Sequence, residues 1–581
     1  MNLPFRKTLQ MTGSRRSVLD QARGRIVLVS AFFVFAYIMI AARAFDLSII
    51  QGQAYRNLQF SSFENRPPEK RKQRRADIVD RNGVLLARSL KTVSLYADPA
   101  LVSDPAALSK ELAEIFPDLS YGSLLQKLQS NKRFVWIKRN MTPESHYRVL
   151  YLGNPGLGFR EEDKRVYPQG DLAAHLVGFS NVDGKGLAGI ERSFDNLLRD
   201  NGAPLALSLD VRLQHVLRRE LLDAVQKHHA KGGAGIIMDV RSGEVLASVS
   251  LPDFDPHKAG EAEGENTFNR ATLGVYEPGS TFKIFSTAAL LETTNASLEQ
   301  SFDASSPIKI GRFRIRDYHA QNRALSVLEV FMYSSNIGSA LMGEKIGTER
   351  FKKFLSDLGL MNAPEMEISE VGKPLVPSPW REVNTLTASF GHGIAVSPLQ
   401  LVGAASSIVN GGILVRPTFV LSKTSRPGRK KDKNASDVRI VSPQTAHRMR
   451  QLLRLVVTDG TGKKADVPGY EVGGKTGTAE KNVNGRYDRN SLISSFFAVF
   501  PVSAPRYSIY LMVDEPKGIP ETYGYATGGW VAAPPMRRVI ESVVSVLGIA
   551  PEEGGEDLAA PLRRYVKSKK EIEKERKLAS H

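Results

Sequence analysis

Ser280 and Lys283 stand three residues apart in Glu277-Pro278-Gly279-Ser280-Thr281-Phe282-Lys283. A serine hydroxyl is a poor nucleophile until a base takes its proton, and an amine can be that base if burial or a second cation lowers its pKa. Residues at i and i+3 share a helix face, so hydroxyl and amine can meet. The apolar spacing of Ile284 to Leu291 predicts a buried helix with Ser280 at its N-terminus and Lys283 one turn on. That terminus also favours negative charge developing at the serine. Spacing alone decides nothing: Ser306 and Lys309 repeat it and are assigned no role. Two further groups follow in order. Ser334-Ser335-Asn336 sets a hydroxyl and an amide two residues apart, in what reads as a turn between helices. Lys475-Thr476-Gly477-Thr478 sets a cation beside two hydroxyls. Together the three groups describe acyl transfer through serine.

The elements that must position these groups are partly legible. Glu471 to Ala479 reads as a strand, with Thr476 and Thr478 on one face; Gly477 leaves the opposite face bare, with room for a close helix. Asn484-Gly485 is a turn signal, and strands follow over 492–500 and 507–513, an antiparallel meander with the Lys475 strand at one edge. Upstream, Asp210 caps an amphipathic helix carrying Leu213, Val216, Leu217, Leu221, Ala224 and Val225. A hairpin over 235–248 turns at Arg241-Ser242-Gly243. Gly391-His392-Gly393 reads as a cleft loop, without a catalytic assignment for His392. His175, His228 and His229 show no metal-ligand spacing. Residues 426–434 read as a solvated loop.

The 581 residues, 42% hydrophobic and 24% charged, suffice for two or three domains plus an anchor. Absence of cysteine excludes disulfides, thiolate catalysis and cysteine metal sites. The net charge of +18 would suit nucleic acid, anionic lipid or an acidic polymer. Without zinc-finger, RNA-binding or P-loop signatures, nucleic acid is the weaker of these. Residues 1–25 are basic, and a charge-free run from Ile26 to Ala42 follows, with apolar residues continuing beyond Arg43. This predicts a retained membrane anchor rather than a cleaved signal, with a cytoplasmic N-terminus. The basic flank Lys70, Arg71, Lys72, Arg74 and Arg75 pulls against that orientation, but long C-terminal domains translocate regardless.

With its three motifs and anchor, the chain resembles the class B penicillin-binding proteins, and among them the division-specific, septal peptidoglycan D,D-transpeptidases. Arg75 to Gly83 is similar to the family stretch R-G-x-I-x-D-R-N-G, with Ala76 for glycine. Gly391 to Gln400 and Gly528-Gly529-Trp530-Val531-Ala532-Ala533-Pro534 resemble two further family segments. The resemblance implies an α+β chain: cytoplasmic residues 1–25, a single transmembrane helix over 26–46, and an elongated non-catalytic α/β pedestal over 47–205. A penicilloyl-serine transpeptidase domain over 206–550 would follow, with a five-stranded antiparallel sheet between helices, and then a charged mobile tail over 551–581. It implies a catalytic domain in the periplasm, no metal and no cofactor. It also implies Ser280 as nucleophile, Lys283 as base, Ser334 as proton relay, Asn336 on the substrate amide, and Lys475 as a fixed cation. Thr476 and Thr478 would bind the terminal carboxylate, and the backbone of Ser280 and Thr478 would form the oxyanion hole. Expected partners are D-Ala-D-Ala stem peptides, β-lactams, a membrane glycan polymerase and other division proteins. The alternatives are an elongation-type transpeptidase, a β-lactam sensor, or a division scaffold with an idle site.

Overall fold

The computed structural model describes residues 13–45, 74–200, 202–311, 313–421, 438–483, 485–552 and 557–566. The chain divides into two units between Gln73 and Arg74. The first contributes one described helix, Gly13–Phe45. Its portion Arg23–Phe45 contains an 18-residue stretch with a mean hydropathy of 2.3 and is long and apolar enough to cross a membrane. The expected basic segment around Lys70 to Lys72 and the loop at 426–434 lie outside the described residues.

The second unit opens with a sheet built on the long strand Leu85–Ala97. It pairs antiparallel with Ile78–Val79, Val135–Met141 and Leu157–Val166, and Ile78–Val79 pairs parallel with Leu205–Ala206. Helices Pro105–Ile115 and Tyr121–Leu128 cover a core of Leu95, Leu108, Leu112, Leu124 and Ile137. Each helix begins on a side-chain cap, Asp104 and Ser120 respectively, as their backbone-accepting oxygens favour. Asp80 closes a tight turn with Gly83: its Oδ1 accepts from the Asn82 and Val84 amides. Its Oδ2 accepts from the amide of Val211, the first residue of the next domain's opening helix. Arg75 and Arg165 converge on Glu191, which is fully buried between them.

The catalytic region is organised on a five-stranded antiparallel sheet. Its elements in chain order are α1 (Val211–Lys227), β1 (Gly232–Asp239), β2 (Val245–Leu251), α2 (Lys283–Thr294), α3 (Val327–Tyr333), α4 (Asn336–Ile346), α5 (Pro398–Val409), α6 (Pro443–Thr458), β3 (Gly473–Val483), β4 (Arg486–Phe500), β5 (Tyr507–Asp514) and α7 (Ala533–Leu547). The strand order is β3-β4-β5-β1-β2, so the Lys475 strand lies at an edge, as its sequence predicts. Both faces are covered, which explains why β4 reads as the unbroken apolar run Phe496 to Phe500 rather than as an alternation. Phe496, Ala498 and Phe500 pack with Leu213, Leu217 and Leu221 of α1 and Val539 and Ile540 of α7. Phe497 and Val499 face Phe285 of α2 and Leu452 and Val456 of α6.

Two expectations change. Strand β4 begins at Arg486, not near 492; its first residues are polar and mostly exposed, so they carry no apolar signal. The expected mobile tail contains a docked segment. A short helix, Ala560–Arg563, buries Ala559 and Leu562 in the core around α6. Arg454 pairs there with Asp557, and Arg563 with Asp459.

Candidate active site

A 3₁₀ turn, Gly279–Phe282, leads directly into α2 at Lys283. Three residues per turn put Ser280 and Lys283 in line along it. The turn approaches β3 closely because two side chains are missing. A methyl on Gly477 would lie 2.3 Å from Ser495 Oγ and 2.8 Å from the Thr281 methyl; one on Gly279 would lie 2.4 Å from the Thr478 carbonyl oxygen. The bare face at Gly477 therefore receives the turn that carries Ser280. Gly279 also has φ +54°, a conformation glycine adopts without strain.

Ser334 ends α3 in the left-handed conformation, φ 61° and ψ 42°, and Ser335 caps α4. That tight junction turns Ser334 and Asn336 toward Lys283. Lys283 Nζ lies 3.0 Å from Ser280 Oγ, 2.6 Å from the Ser334 carbonyl oxygen, 2.8 Å from Asn336 Oδ1 and 3.1 Å from Ser334 Oγ. The Ser334 carbonyl and Asn336 Oδ1 can only accept. They take both protons of a neutral amine and leave its lone pair for a hydroxyl.

Lys475 Nζ reaches Ser334 Oγ at 2.9 Å, so one hydroxyl bridges the two lysines, and both lysine side chains are fully buried. Sharing Ser334 Oγ keeps the amines within about 6 Å of each other. Two like charges at that distance repel by about 3 kcal/mol at an effective dielectric constant of ~20. Burial first, and the Lys475 charge second, hold Lys283 well below the ordinary lysine range, with Asp317 opposing them. Burial takes Lys475 down to about 7. The arrangement thus favours a neutral Lys283 beside an accessible Ser280 hydroxyl.

Thr476 and Thr478 lie on the other face of β3. Thr476 Oγ1 is 2.8 Å from Thr461 Oγ1, and Thr478 Oγ1 accepts from the Gly528 amide at 3.0 Å. With a lone pair so engaged, the Thr478 hydroxyl proton is free to be donated to an anion. All eight expected residues, Ser280, Lys283, Ser334, Asn336, Lys475, Thr476, Gly477 and Thr478, thus belong to one site formed by α2, the α3–α4 junction and β3. Ser306 and Lys309 lie apart, exposed at the start of a small hairpin.

Several contributors lie outside the eight expected residues. Thr461 meets the strand from the loop after α6, and Gly528, which opens the family-like segment 528–534, meets it from the first turn of a short helix. Asp317 takes hydrogen bonds from Ser335, Asn336 and Ile337. Glu277 Oε1 accepts from the Gly393 amide and from the Tyr487 hydroxyl, both at 3.0 Å. His392 stacks on Tyr487 with ring centroids 5.3 Å apart, and burial takes it down to about 4. It is a neutral packing group at the cleft. His175 is likewise packed, against Phe254 and the Asn266 carbonyl.

Comparison with known proteins agrees with this geometry. Residues 233–541 match the penicillin binding protein transpeptidase domain, and residues 70–203 match the penicillin-binding protein dimerisation domain. A probable peptidoglycan D,D-transpeptidase FtsI of Caulobacter vibrioides is 38% identical over 543 residues, covering 91% of this chain and 90% of that protein. The peptidoglycan D,D-transpeptidase FtsI of Escherichia coli is 31% identical over 517 residues, covering 82% and 84%. Penicillin binding protein 3 from Mycobacterium tuberculosis, solved in complex with aztreonam, superposes with a TM-score of 0.66 at 25% identity, covering 84% of this chain and 98% of that one. A buried lysine pair around one serine hydroxyl, set on a sheet edge and preceded by the dimerisation module, places the chain in the penicillin-binding protein transpeptidase family.

Proposed function

We propose that the chain is a peptidoglycan D,D-transpeptidase of the division septum, working through a Ser280 acyl-enzyme. The observation that carries the chemistry is Lys283 Nζ at 3.0 Å from Ser280 Oγ, with the Ser334 carbonyl and Asn336 Oδ1 absorbing its two protons. The donor stem peptide lies extended along the outer edge of β3, where an edge strand offers unpaired backbone groups. Its terminal carboxylate meets the Thr476 and Thr478 hydroxyls and the Lys475 charge.

Ser280 Oγ attacks the penultimate D-alanyl carbonyl while its proton passes to Lys283. The oxyanion is held by the backbone N–H groups of Ser280 and Thr478, preorganised donors of a kind commonly worth about 3–4 kcal/mol each. The C–N bond then breaks, and the departing D-alanine amine takes a proton relayed by Ser334 Oγ. An amine from a neighbouring stem attacks the ester, forms the cross-link and returns the Ser280 proton. A β-lactam follows the first half of this path, but its leaving group stays tethered. Relatives named as D,D-transpeptidases and one solved with aztreonam support this reading.

The apolar helix Arg23–Phe45, preceded by a basic segment, supports a cytoplasmic N-terminus and a periplasmic catalytic domain. The anchor and the pedestal are the surfaces for a membrane glycan polymerase and other division proteins.

Turnover of a D-Ala-D-Ala stem-peptide mimic with and without an acceptor amine tests the chemistry. Cross-linked product is expected with the amine. Hydrolysis alone would make the chain a hydrolase, and a single unreleased acylation a sensor. Depletion in the native cell tests the septal role: filaments with blocked constriction are expected, whereas round, swollen cells would assign the chain to elongation.

A further inference from the structure

Asp317 lies 18 residues before the Ser335-Asn336 pair and belongs to none of the three motifs. Its carboxylate closes the first turn of α4. Oδ1 accepts from the Asn336 amide at 2.5 Å and the Ile337 amide at 3.0 Å, and Oδ2 accepts from Ser335 Oγ at 2.7 Å. Ser335 Oγ in turn accepts from the Gly338 amide at 2.9 Å. The first three helical amides, which have no partner within a helix, are therefore all satisfied by two side chains. The neighbouring carbonyl of Arg316 accepts from Asn336 Nδ2 at 3.0 Å, which turns the opposite end of that amide, Oδ1, onto Lys283. Both ends of the Asn336 residue, amide and side chain, are thus held by the 316–317 segment.

We propose that Asp317 is a positioning residue for acylation: through Ser335 and Asn336 it holds the α3–α4 junction so that Asn336 Oδ1 and the Ser334 carbonyl face the Lys283 amine. Two features favour this role over a plain helix cap. Ser334 occupies a left-handed conformation that a non-glycine residue holds only when its surroundings fix it, and Asp317 supplies three bonds to the next three residues. Asp317 also acts on Lys283 through its charge. The charged or titratable groups facing Lys283 are Lys475 from β3, which disfavours its proton, Asp317, which favours it, and His392 from the 391–393 loop, which burial keeps neutral. A neutral cap such as a serine would have no such effect.

The inference rests on the acyl-enzyme reading above, and its test separates the two. The second-order rate of Ser280 acylation by a fluorescent penicillin is measured from pH 5 to 10 for the wild type, Asp317→Asn, Asp317→Ala and Ser280→Ala, with thermal melts on each. Asp317→Asn keeps an acceptor for the two amides and removes the charge. Its acid limb is expected to move to lower pH, because Lys283 then loses its proton more readily. Asp317→Ala removes the acceptors, and its rate is expected to fall about ten- to hundredfold at every pH while the melt stays cooperative. A folded Asp317→Ala variant within threefold of wild type overturns the proposal. If Asp317→Ala does not fold, Asp317→Asn decides: a wild-type rate with an unmoved acid limb overturns it. Label retained by Ser280→Ala would instead overturn the acyl-enzyme reading itself.

Discussion

The carboxylate of Glu277 and the hydroxyl of Tyr487 meet at 3.0 Å across 210 residues of sequence. Glu277 is three residues before the nucleophile, and Tyr487 is on the β3–β4 hairpin. The same Glu277 oxygen accepts from Gly393, so three segments around the cleft share one acceptor. Burial raises the Glu277 carboxyl above its ordinary range, against the pull of both donors. Glu277→Ala is expected to cost about 1–3 kcal/mol and Tyr487→Phe about 1 kcal/mol. The double variant should cost less than the sum, because both remove one bond. Additive losses in denaturant melts would mean the contact couples nothing.

Ser280 is expected to be the residue acylated. A fluorescent penicillin should label wild type and Ser306→Ala equally and leave Ser280→Ala dark. The contrast rests on environment rather than spacing, since Lys309 is exposed whereas Lys283 is buried against a second amine.

Lys475 is expected to act as a cation. In the proposed mechanism acylation needs Lys283 neutral and Lys475 charged, so the rate should rise with pH through the depressed Lys283 value and fall as Lys475 loses its proton. With Lys475 at about 7, the alkaline limb of acylation efficiency in the free enzyme should fall near neutrality. Lys475→Arg should keep part of the activity and move that limb upward, because a guanidinium stays charged. Lys475→Gln should acylate at least a hundredfold more slowly, the scale of losing a charged hydrogen-bonding group at about 3 kcal/mol. Near-normal acylation by the glutamine variant would make the charge dispensable.

The orientation proposed for the anchor puts the catalytic domain outside the cytoplasm. Alkaline phosphatase fused after His581 should be active in a bacterial host. An inactive fusion of normal abundance, with a cytoplasmic reporter bright at the same point, would reverse the orientation.

The site was legible where neighbours in sequence are neighbours in space. Ser280 and Lys283 share a turn, Ser334 and Asn336 share a junction, and Lys475, Thr476 and Thr478 share a strand. The meander was legible too, because turn signals bound its apolar runs. Asp317, Thr461 and Tyr487 were not, since each reaches the site from a loop or hairpin with no period and no motif. The docked helix Ala560–Arg563 carries little sequence signal for a different reason. Two small anchors, Ala559 and Leu562, and two ion pairs hold it, and its surroundings read as polar.

The buried lysine pair also makes folding of this domain a proton-releasing event. In the unfolded chain both amines hold their protons up to about pH 10.4. In the folded domain Lys283 gives up its proton well below that, and Lys475 does so at about 7. The unfolded state therefore binds more protons, and stability from these groups rises with pH between the folded and unfolded values, by up to about 1.4 kcal/mol per pH unit for each. Above the unfolded value both states are neutral and the difference vanishes. A donor carboxylate arriving beside Lys475 raises its proton affinity again, so binding an anionic ligand takes back part of what folding let go.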